Sequence, residues 1–216
     1  PGSGACGGMY TANTMAMACE AIGMTLPGSS SNPAISKDKI HEIENAAKLI
    51  KIMVEKDIKP MDIITRESLL NATRVCMAVG GSTNAVLHLL AIANTANIQF
   101  TIDDFMTISK ETPVICDFKP SGVHLMEDLH DIGGTPGLMK YMLNKGYLNG
   151  DCNTISGDKL GDVLDNYTAI TPSDIGIVRP FSNPLRNDGH IKILKGNIAE
   201  QGSVAKVDIK NSSSEY

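Results

Sequence analysis

The chain has 216 residues, 42% of them hydrophobic and 20% charged, with a net charge of −5, which is the composition of a globular rather than a disordered protein. The excess of acidic residues argues against nucleic acid or an anionic membrane as the main partner. Aromatic residues make up 4% and tryptophan is absent, so a platform for stacking bases is not expected.

No apolar run approaches the roughly 20 residues that cross a bilayer, and the start of the chain at Pro1 shows no signal-peptide pattern. We expect the chain to be a central piece of a longer protein. The five cysteines are Cys6, Cys19, Cys76, Cys116 and Cys152. Their odd number and wide spacing argue against a disulfide scaffold and favour a reducing compartment. We therefore expect a cytoplasmic protein, or an organellar one in a eukaryote.

The first part of the chain predicts helices. Residues 9–22 carry good helix formers and end at Gly23. Ser36 is a suitable N-cap for a long helix over 37–56. Apolar residues recur along this helix every three or four positions and form one stripe: Ile40, Ile43, Ala47, Ile50 and Val54.

Two further helices follow. Thr65 predicts the N-cap of the first, which Gly80–Gly81 ends. The sequence NAVLHLLAIANTA predicts a second helix, beginning at Ser82 or Thr83. It is apolar nearly all round, so we expect it to be central and buried, with His88 as a hydrogen-bonded core residue.

Short apolar runs at 99–102 and 113–118 predict strands. Thr135, followed by proline, predicts the N-cap of a helix over 136–145, which Gly146 ends. The alternation of helices with short strands predicts an α/β fold with layers of helix and sheet.

The pattern changes after about residue 170. Three prolines punctuate the next stretch, and residues 190–196 and 203–209 then alternate with the period of strands. The expected domains are residues 1–170 as an α/β domain, 171–185 as a linker, and 186–216 as the incomplete beginning of a β-rich, barrel-like domain.

The first candidate for chemistry is Cys6, in the segment GACGG before the first predicted helix. Glycines let the backbone approach a ligand closely. A helix N-terminus stabilises a thiolate, and thiolates are the usual ligands of iron–sulfur clusters. A small buried cysteine in a tight turn is the alternative, and the residues alone leave both open.

The segment GGSTN, residues 80–84, is a second candidate. Its backbone N–H groups and the hydroxyl of Ser82 or Thr83 could bind an anion. A helix–helix junction with an N-cap is the plainer alternative. No lysine follows the glycines, so the segment is not a P-loop.

The segment HLMEDLH is a third candidate. His124 and Asp128 are four residues apart, and Glu127 and His130 are three apart. On a helix such pairs would share a face and could hold a metal. Charge pairing on a solvated helix face is the alternative.

Two stretches together resemble one family. PGSGACGGMYTANTM and GGSTNAVLHLLAIA are similar to the dihydroxy-acid dehydratases, within the wider family that includes sugar-acid dehydratases. HLMEDLHDIGG, RPFSNP and LKGNIAEQGSVAK resemble the same family in the same order, so the resemblance covers nearly the whole chain. It implies an α/β N-terminal domain and a β-rich C-terminal domain.

The resemblance also implies cofactors. The family holds an iron–sulfur cluster through three cysteines, and Cys6 matches one of them; we expect a 2Fe–2S rather than a 4Fe–4S cluster. The other two cysteines lie upstream, one in a Cys-Asp-Lys segment that also supplies ligands for Mg²⁺. The catalytic serine lies in a Thr-Asp-Gly-Arg segment. Neither segment occurs in this chain, so we expect Cys6 as its only cluster ligand, and the base and the magnesium ligands outside it.

The implied reaction removes water from a small-molecule 2,3-dihydroxy acid. Iron acts as a Lewis acid on the 3-hydroxyl, a base takes the C2 proton, and a 2-keto acid forms, a precursor of valine or isoleucine. The alternatives are a sugar-acid dehydratase of the same family and a non-catalytic iron–sulfur or anion-binding module. We expect the full-length enzyme to be a homodimer.

Overall fold

The computed structural model describes residues 6–209; residues 1–5, the start of the glycine-rich segment, and residues 210–216, the end of the predicted β-rich domain, lie outside it. Within this part the chain forms nine helices and then a two-stranded antiparallel sheet, which confirms the predicted α/β class. The elements are α1 Thr11–Ile22, α2 Lys37–Glu55, α3 Pro60–Ile63, α4 Arg66–Ala78, α5 Asn84–Thr95, α6 Ile102–Glu111, α7 Met126–Asp131, α8 Gly134–Asn144, α9 Leu160–Leu164, β1 Ile191–Gly196 and β2 Ala199–Lys206.

Local capping residues set the first helices as predicted. The Ser36 hydroxyl accepts the N–H of Lys39 at 3.1 Å and begins α2, and the Thr65 hydroxyl accepts the N–H of Ser68 at 3.2 Å and begins α4. These bonds satisfy N–H groups that have no partner within the helix. Gly23 ends α1 in the left-handed conformation, with φ +95°.

The core is organised around α1, which packs against α4, α5 and α8. Met17, Ala18 and Ile22 of α1 are buried, as are Leu69 and Val75 of α4. Burying one side chain such as leucine or methionine contributes about 1.5–3 kcal/mol, so the contact between α1 and α4 is a major source of stability.

The prediction that α5 is buried on all sides is wrong. Ala85, Leu89 and Ala93 are buried, whereas Leu87 is 66% exposed. His88 is exposed too and is not a core residue. Side-chain apolarity alone does not supply a neighbour: α1, α4 and α6 pack on α5, and no element of residues 6–209 covers its other side.

The strands predicted at 99–102 and 113–118 do not form in the described part. The first run leads into α6, which begins at Ile102. The second makes single antiparallel bridges to Val178 and Arg186. A strand needs a partner over several successive residues, and neither run has one.

Helix α8 begins at Gly134, two residues before the predicted start. Thr135 therefore lies in the first turn and is not the N-cap. Its hydroxyl oxygen lies 2.7 Å from the Ser30 hydroxyl oxygen, within hydrogen-bond distance. Gly146, with φ +78°, follows the helix as predicted.

The strands β1 and β2 confirm the two strands predicted near the end of the chain, and they pair as an antiparallel hairpin. Strand β2 begins four residues before the predicted position. The Ser109 hydroxyl of α6 donates to the carbonyl of Ile191 at 2.6 Å, which joins the hairpin to the helices.

Residues 171–185 contain neither helix nor strand, and the ring of Phe181 stacks on that of Tyr147 with 4.0 Å between centroids. The three-part domain division stays a prediction. No helix in the described residues is both long and apolar enough to cross a membrane.

A buried carboxyl on α1 holds the loop that follows the helix. The Glu20 carboxyl accepts the N–H of Gly28 at 2.8 Å, the N–H of Ser30 at 3.0 Å and the hydroxyl of Ser30 at 2.6 Å. Burial is the largest influence and raises the pKa of Glu20 to about 7, although the hydrogen bonds act in the opposite direction.

Glu20 predicts a loss of stability with rising pH. The folded pKa of about 7 lies above the ordinary value of 4.5, so between these pH values the folded protein keeps a proton that the unfolded chain has released. This contribution is present in acid and is lost as the pH rises through the window. From about pH 5 to about pH 8 it lowers the free energy of unfolding by about 2–3 kcal/mol. Urea unfolding of the wild type and Glu20→Gln measures it; equal pH slopes in the two proteins would contradict it.

A side chain at Gly23 would clash with its surroundings, whereas one at Gly146 would not. A Cβ at Gly23 would lie 2.6 Å from the backbone oxygen of Asn153, whereas a Cβ at Gly146, also at positive φ, meets nothing within 4 Å. We expect Gly23→Ala to lower the free energy of unfolding by about 3 kcal/mol, from strain plus a backbone shift. Gly146→Ala should cost about 1 kcal/mol. Equal losses in urea unfolding would show that the contact with Asn153 is relieved at no cost.

Candidate functional site

Cys6 lies exposed on the loop that precedes α1. This loop is held by Asn13, a buried residue of the helix. The Asn13 side-chain amide donates to the carbonyl of Cys6 at 2.6 Å and to the carbonyl of Gly8 at 2.8 Å. Because both donors go to one loop, the loop folds back against the first turns of α1. The alternative of a buried cysteine in a tight turn is wrong.

The two glycines after Cys6 let the loop contact the segment 119–126. A Cβ at Gly8 would lie 2.7 Å from the carbonyl oxygen of Lys119, and the same carbonyl accepts the N–H of Met9 at 2.6 Å. On the other side, the N–H of Met126 donates to the carbonyl of Gly7 at 2.8 Å. The backbone beside Cys6 is therefore held from α1 and from the start of α7.

The turn GGSTN meets the same end of α1. The N–H of Ser82 donates to the Thr14 hydroxyl at 3.0 Å, and the Asn84 side-chain amide donates to the Thr11 hydroxyl at 2.7 Å. The hydroxyls of Thr11 and Ser82 are 3.1 Å apart. The groups offered as an anion site thus bind helix side chains, which favours the helix–helix junction. The two stretches that carry the strongest resemblance lie in contact.

Two residues of the hairpin region contact the backbone carbonyls of the GGSTN turn, and the sequence analysis did not predict either of them. The Lys206 ammonium donates to the carbonyls of Gly80 at 3.0 Å and Gly81 at 3.1 Å. The Nε2 of His190 lies 2.6 Å from the carbonyl oxygen of Gly81. Burial lowers the pKa of His190 to about 4, so the ring is neutral at pH 7 and Nε2–H is the donor. No local motif marks either residue, because their partners lie more than 100 residues away.

The metal site considered as a candidate at HLMEDLH is not formed in the described residues. His124 Nδ1 lies 3.7 Å from the Asp128 carboxylate, whereas His130 Nε2 lies 3.8 Å from that of Asp38. The Asp128 carboxylate also accepts the N–H of Leu125 at 2.6 Å and so caps α7. Residues 6–209 contain no group of three His, Cys, Asp or Glu residues that could hold a metal ion. Contacts between the histidine rings and carboxylates, together with capping, account for the segment.

The other four cysteines are buried or half-buried. Cys76, Cys116 and Cys152 are buried, and Cys19 is half-buried. Burial raises the pKa of Cys76 to about 12 and that of Cys152 to about 11, and it also raises the pKa values of Cys19 and Cys116. A raised pKa favours the neutral thiol over the thiolate that binds metals. Cys6 is the one exposed cysteine of the five.

Comparison with known proteins decides the family. Residues 1–163 match the family model described as dihydroxy-acid/6-phosphogluconate dehydratase N-terminal, and residues 176–215 match its C-terminal counterpart. The chain belongs to the dihydroxy-acid/6-phosphogluconate dehydratase family. This confirms the resemblance that the motifs indicated.

Curated relatives in this dehydratase family are similar over nearly the whole chain. The dihydroxy-acid dehydratase of Francisella tularensis subsp. novicida is 54% identical over 207 residues. Those of Lactococcus lactis subsp. cremoris and Flavobacterium psychrophilum are 52% identical over 210 residues and 51% identical over 207. The alignments cover 96 or 97% of this chain and 37% of each relative. The chain thus spans about 37% of the length of these relatives.

The clamp made by Asn13 yields a stability prediction. Asn13→Ala leaves the carbonyls of Cys6 and Gly8 without their donor, and we expect a loss of about 2 kcal/mol in the free energy of unfolding. The matched control is Asn166→Ala. Asn166 also donates to two carbonyls, both at 3.3 Å, but is exposed, and water can replace it at a cost below about 0.5 kcal/mol. Equal losses in urea unfolding would refute the clamp.

Proposed function

We propose that the complete protein removes water from a 2,3-dihydroxy carboxylic acid and forms a 2-keto acid, a precursor of valine or isoleucine. The observation that carries this proposal is the 51–54% identity to proteins named dihydroxy-acid dehydratase over 96% or more of the chain. A sugar-acid dehydratase is the second candidate, since the family description also includes 6-phosphogluconate dehydratase. The names of these relatives favour the dihydroxy acid.

Cys6 suits a cluster ligand better than the other cysteines do. Its thiol is exposed, and the backbone around it is held by the Asn13 amide. The other thiols are buried or half-buried and have raised pKa values. One thiolate cannot hold a cluster alone, because protein clusters generally use several cysteines. We therefore propose that Cys6 is one ligand of an iron–sulfur cluster, of the 2Fe–2S type, and that the remaining ligands lie outside this chain.

The residues of this chain act by holding and orienting. The Cys6 thiolate would bind an iron of the cluster, and Asn13 fixes the loop that presents this thiolate. The contact between the Thr11 and Ser82 hydroxyls keeps the GGSTN turn against the start of α1. When bound, the cluster supplies a Lewis-acidic iron that helps the 3-hydroxyl to leave. We assign neither the base nor the ligands of Mg²⁺ to this chain.

A non-catalytic iron–sulfur or anion-binding module is less well supported. Such a module should carry its ligands within itself, and one exposed cysteine is too few. The amide of Ser82 that an anion would need already binds Thr14. We further propose a cytoplasmic homodimer, organellar in a eukaryote, with the α/β domain over residues 1–170, a linker over 171–185 and a β-rich domain from 186.

The experiment that tests Cys6 uses the complete protein. Cys6→Ser should lose the visible absorbance of the cluster together with its iron and sulfide, because an alcohol replaces a thiolate ligand. Turnover of 2,3-dihydroxyisovalerate should fall by at least about 100-fold. The matched control is Cys152→Ser, a buried cysteine, which should keep the cluster and lose at most some stability.

Two outcomes would contradict these proposals. A fully coloured Cys6→Ser protein with its full iron content would remove Cys6 from the ligands, whatever the substrate. Faster turnover of 6-phosphogluconate than of 2,3-dihydroxyisovalerate by the wild type would favour the sugar-acid dehydratase and leave the assignment of Cys6 untouched.

A further inference from the structure

Helix α2 carries a long apolar stripe that is exposed. The helix has 19 residues, none of them buried, and is about 28 Å long. Ile40, Ile43, Ile50 and Val54 are 59%, 66%, 63% and 76% exposed. With Ala47 between them they form the single stripe that the sequence pattern predicted. An exposed patch of this kind marks an interaction site.

The stripe is not the side by which α2 contacts the rest of the protein. That side consists of half-buried residues, among them Lys39, Leu49 and Met53. The Lys39 ammonium donates to the carbonyl of Ser29 at 2.9 Å, and so ties the helix to the preceding loop. The apolar stripe lies about 100° further round the helix, and no element of residues 6–209 covers it.

The order of side chains along the stripe suits a second copy of the same helix. The spacings between Ile40, Ile43, Ala47, Ile50 and Val54 are three, four, three and four residues, which is the seam of a helix pair. In an antiparallel pair with its twofold axis near Ala47, Ile40 lies opposite Val54 and Ile43 lies opposite Ile50. The two alanines at the centre let the helices approach closely.

The charges beside the stripe are complementary in the same arrangement. Glu44 and Lys51 flank it on one side and are 63% and 78% exposed. In the antiparallel pair, Glu44 of one copy lies beside Lys51 of the other, and the twofold axis repeats the contact. Opposite charges at such flanking positions set the partner and the orientation of paired helices. The apolar order and the charge order thus agree on one geometry.

We propose that two copies of this protein associate through α2, packed antiparallel about a twofold axis near Ala47. The identity of the partner rests on the homodimer proposed above, and the structure adds the surface and its orientation.

Charge reversal tests the pairing, with the dimer dissociation constant of the complete protein measured by sedimentation equilibrium at low salt. Glu44→Lys or Lys51→Glu alone turns two attractive contacts into two repulsive ones and should raise the constant about tenfold. The double variant restores both pairs and should return to within about threefold of the wild type. Lys56→Glu is the matched control, because it makes the same charge change at the end of α2 on the side away from the stripe and should have no effect.

A cross-link tests the position of the twofold axis. Ala47→Cys places two thiols across the axis, so oxidation should link two copies covalently on a non-reducing gel. Asn45→Cys, on the opposite side of α2, should stay at the level of the wild type with its five native cysteines.

Three results would overturn the proposal. If neither charge reversal changes the dissociation constant of the dimer, the protein is still a homodimer but α2 is not part of its interface. A wild-type protein that is monomeric at all concentrations would contradict both the homodimer and the α2 interface. A lower thermal midpoint in Ile50→Asp with unchanged mass would show that another segment of the same chain covers the stripe.

Discussion

The part of the chain that carries the candidate site depends on three buried polar side chains of α1. Asn13 binds the loop of Cys6, Thr14 receives the N–H of Ser82, and Glu20 holds the loop after the helix. Burying polar groups is unfavourable unless each finds a partner. Here every partner includes the backbone of another segment, so the packing of one helix also fixes three loops. The loop that carries the exposed thiol of Cys6 is therefore held by a side chain of the core.

Burial separates the residues of this chain by role. Four cysteines are buried or half-buried, which leaves Cys6 as the exposed thiol. Apolar residues separate in the same way: those of α1 and α4 form the core, whereas the stripe of α2 and part of α5 remain exposed. The chain spans about 37% of the length of its dehydratase relatives. Among the exposed faces, that of α2 is complementary to itself, and this property favours a second copy as its partner.

The sequence by itself determined the features whose causes lie within a few residues. Ser36 and Thr65 begin helices because a hydroxyl can accept an N–H three residues ahead, and Gly23 ends one because it adopts positive φ without a clash. Alternation alone predicted the two strands near the end of the chain. Of the candidate site, the sequence indicated Cys6 through its glycine-rich setting, and the motifs indicated the family.

Only the tertiary structure decided which surfaces are covered and which distant groups meet. Apolarity predicted a buried α5, but its neighbours cover one side only, and His88 is exposed as a result. The histidines of HLMEDLH face different carboxylates, which spacing along a helix could not reveal. Lys206 reaches the carbonyls of Gly80 and Gly81 across more than 100 residues of chain. Caps and periodicity arise from neighbours in sequence, whereas burial and long-range hydrogen bonds arise from neighbours in space, which the folding of the whole chain selects.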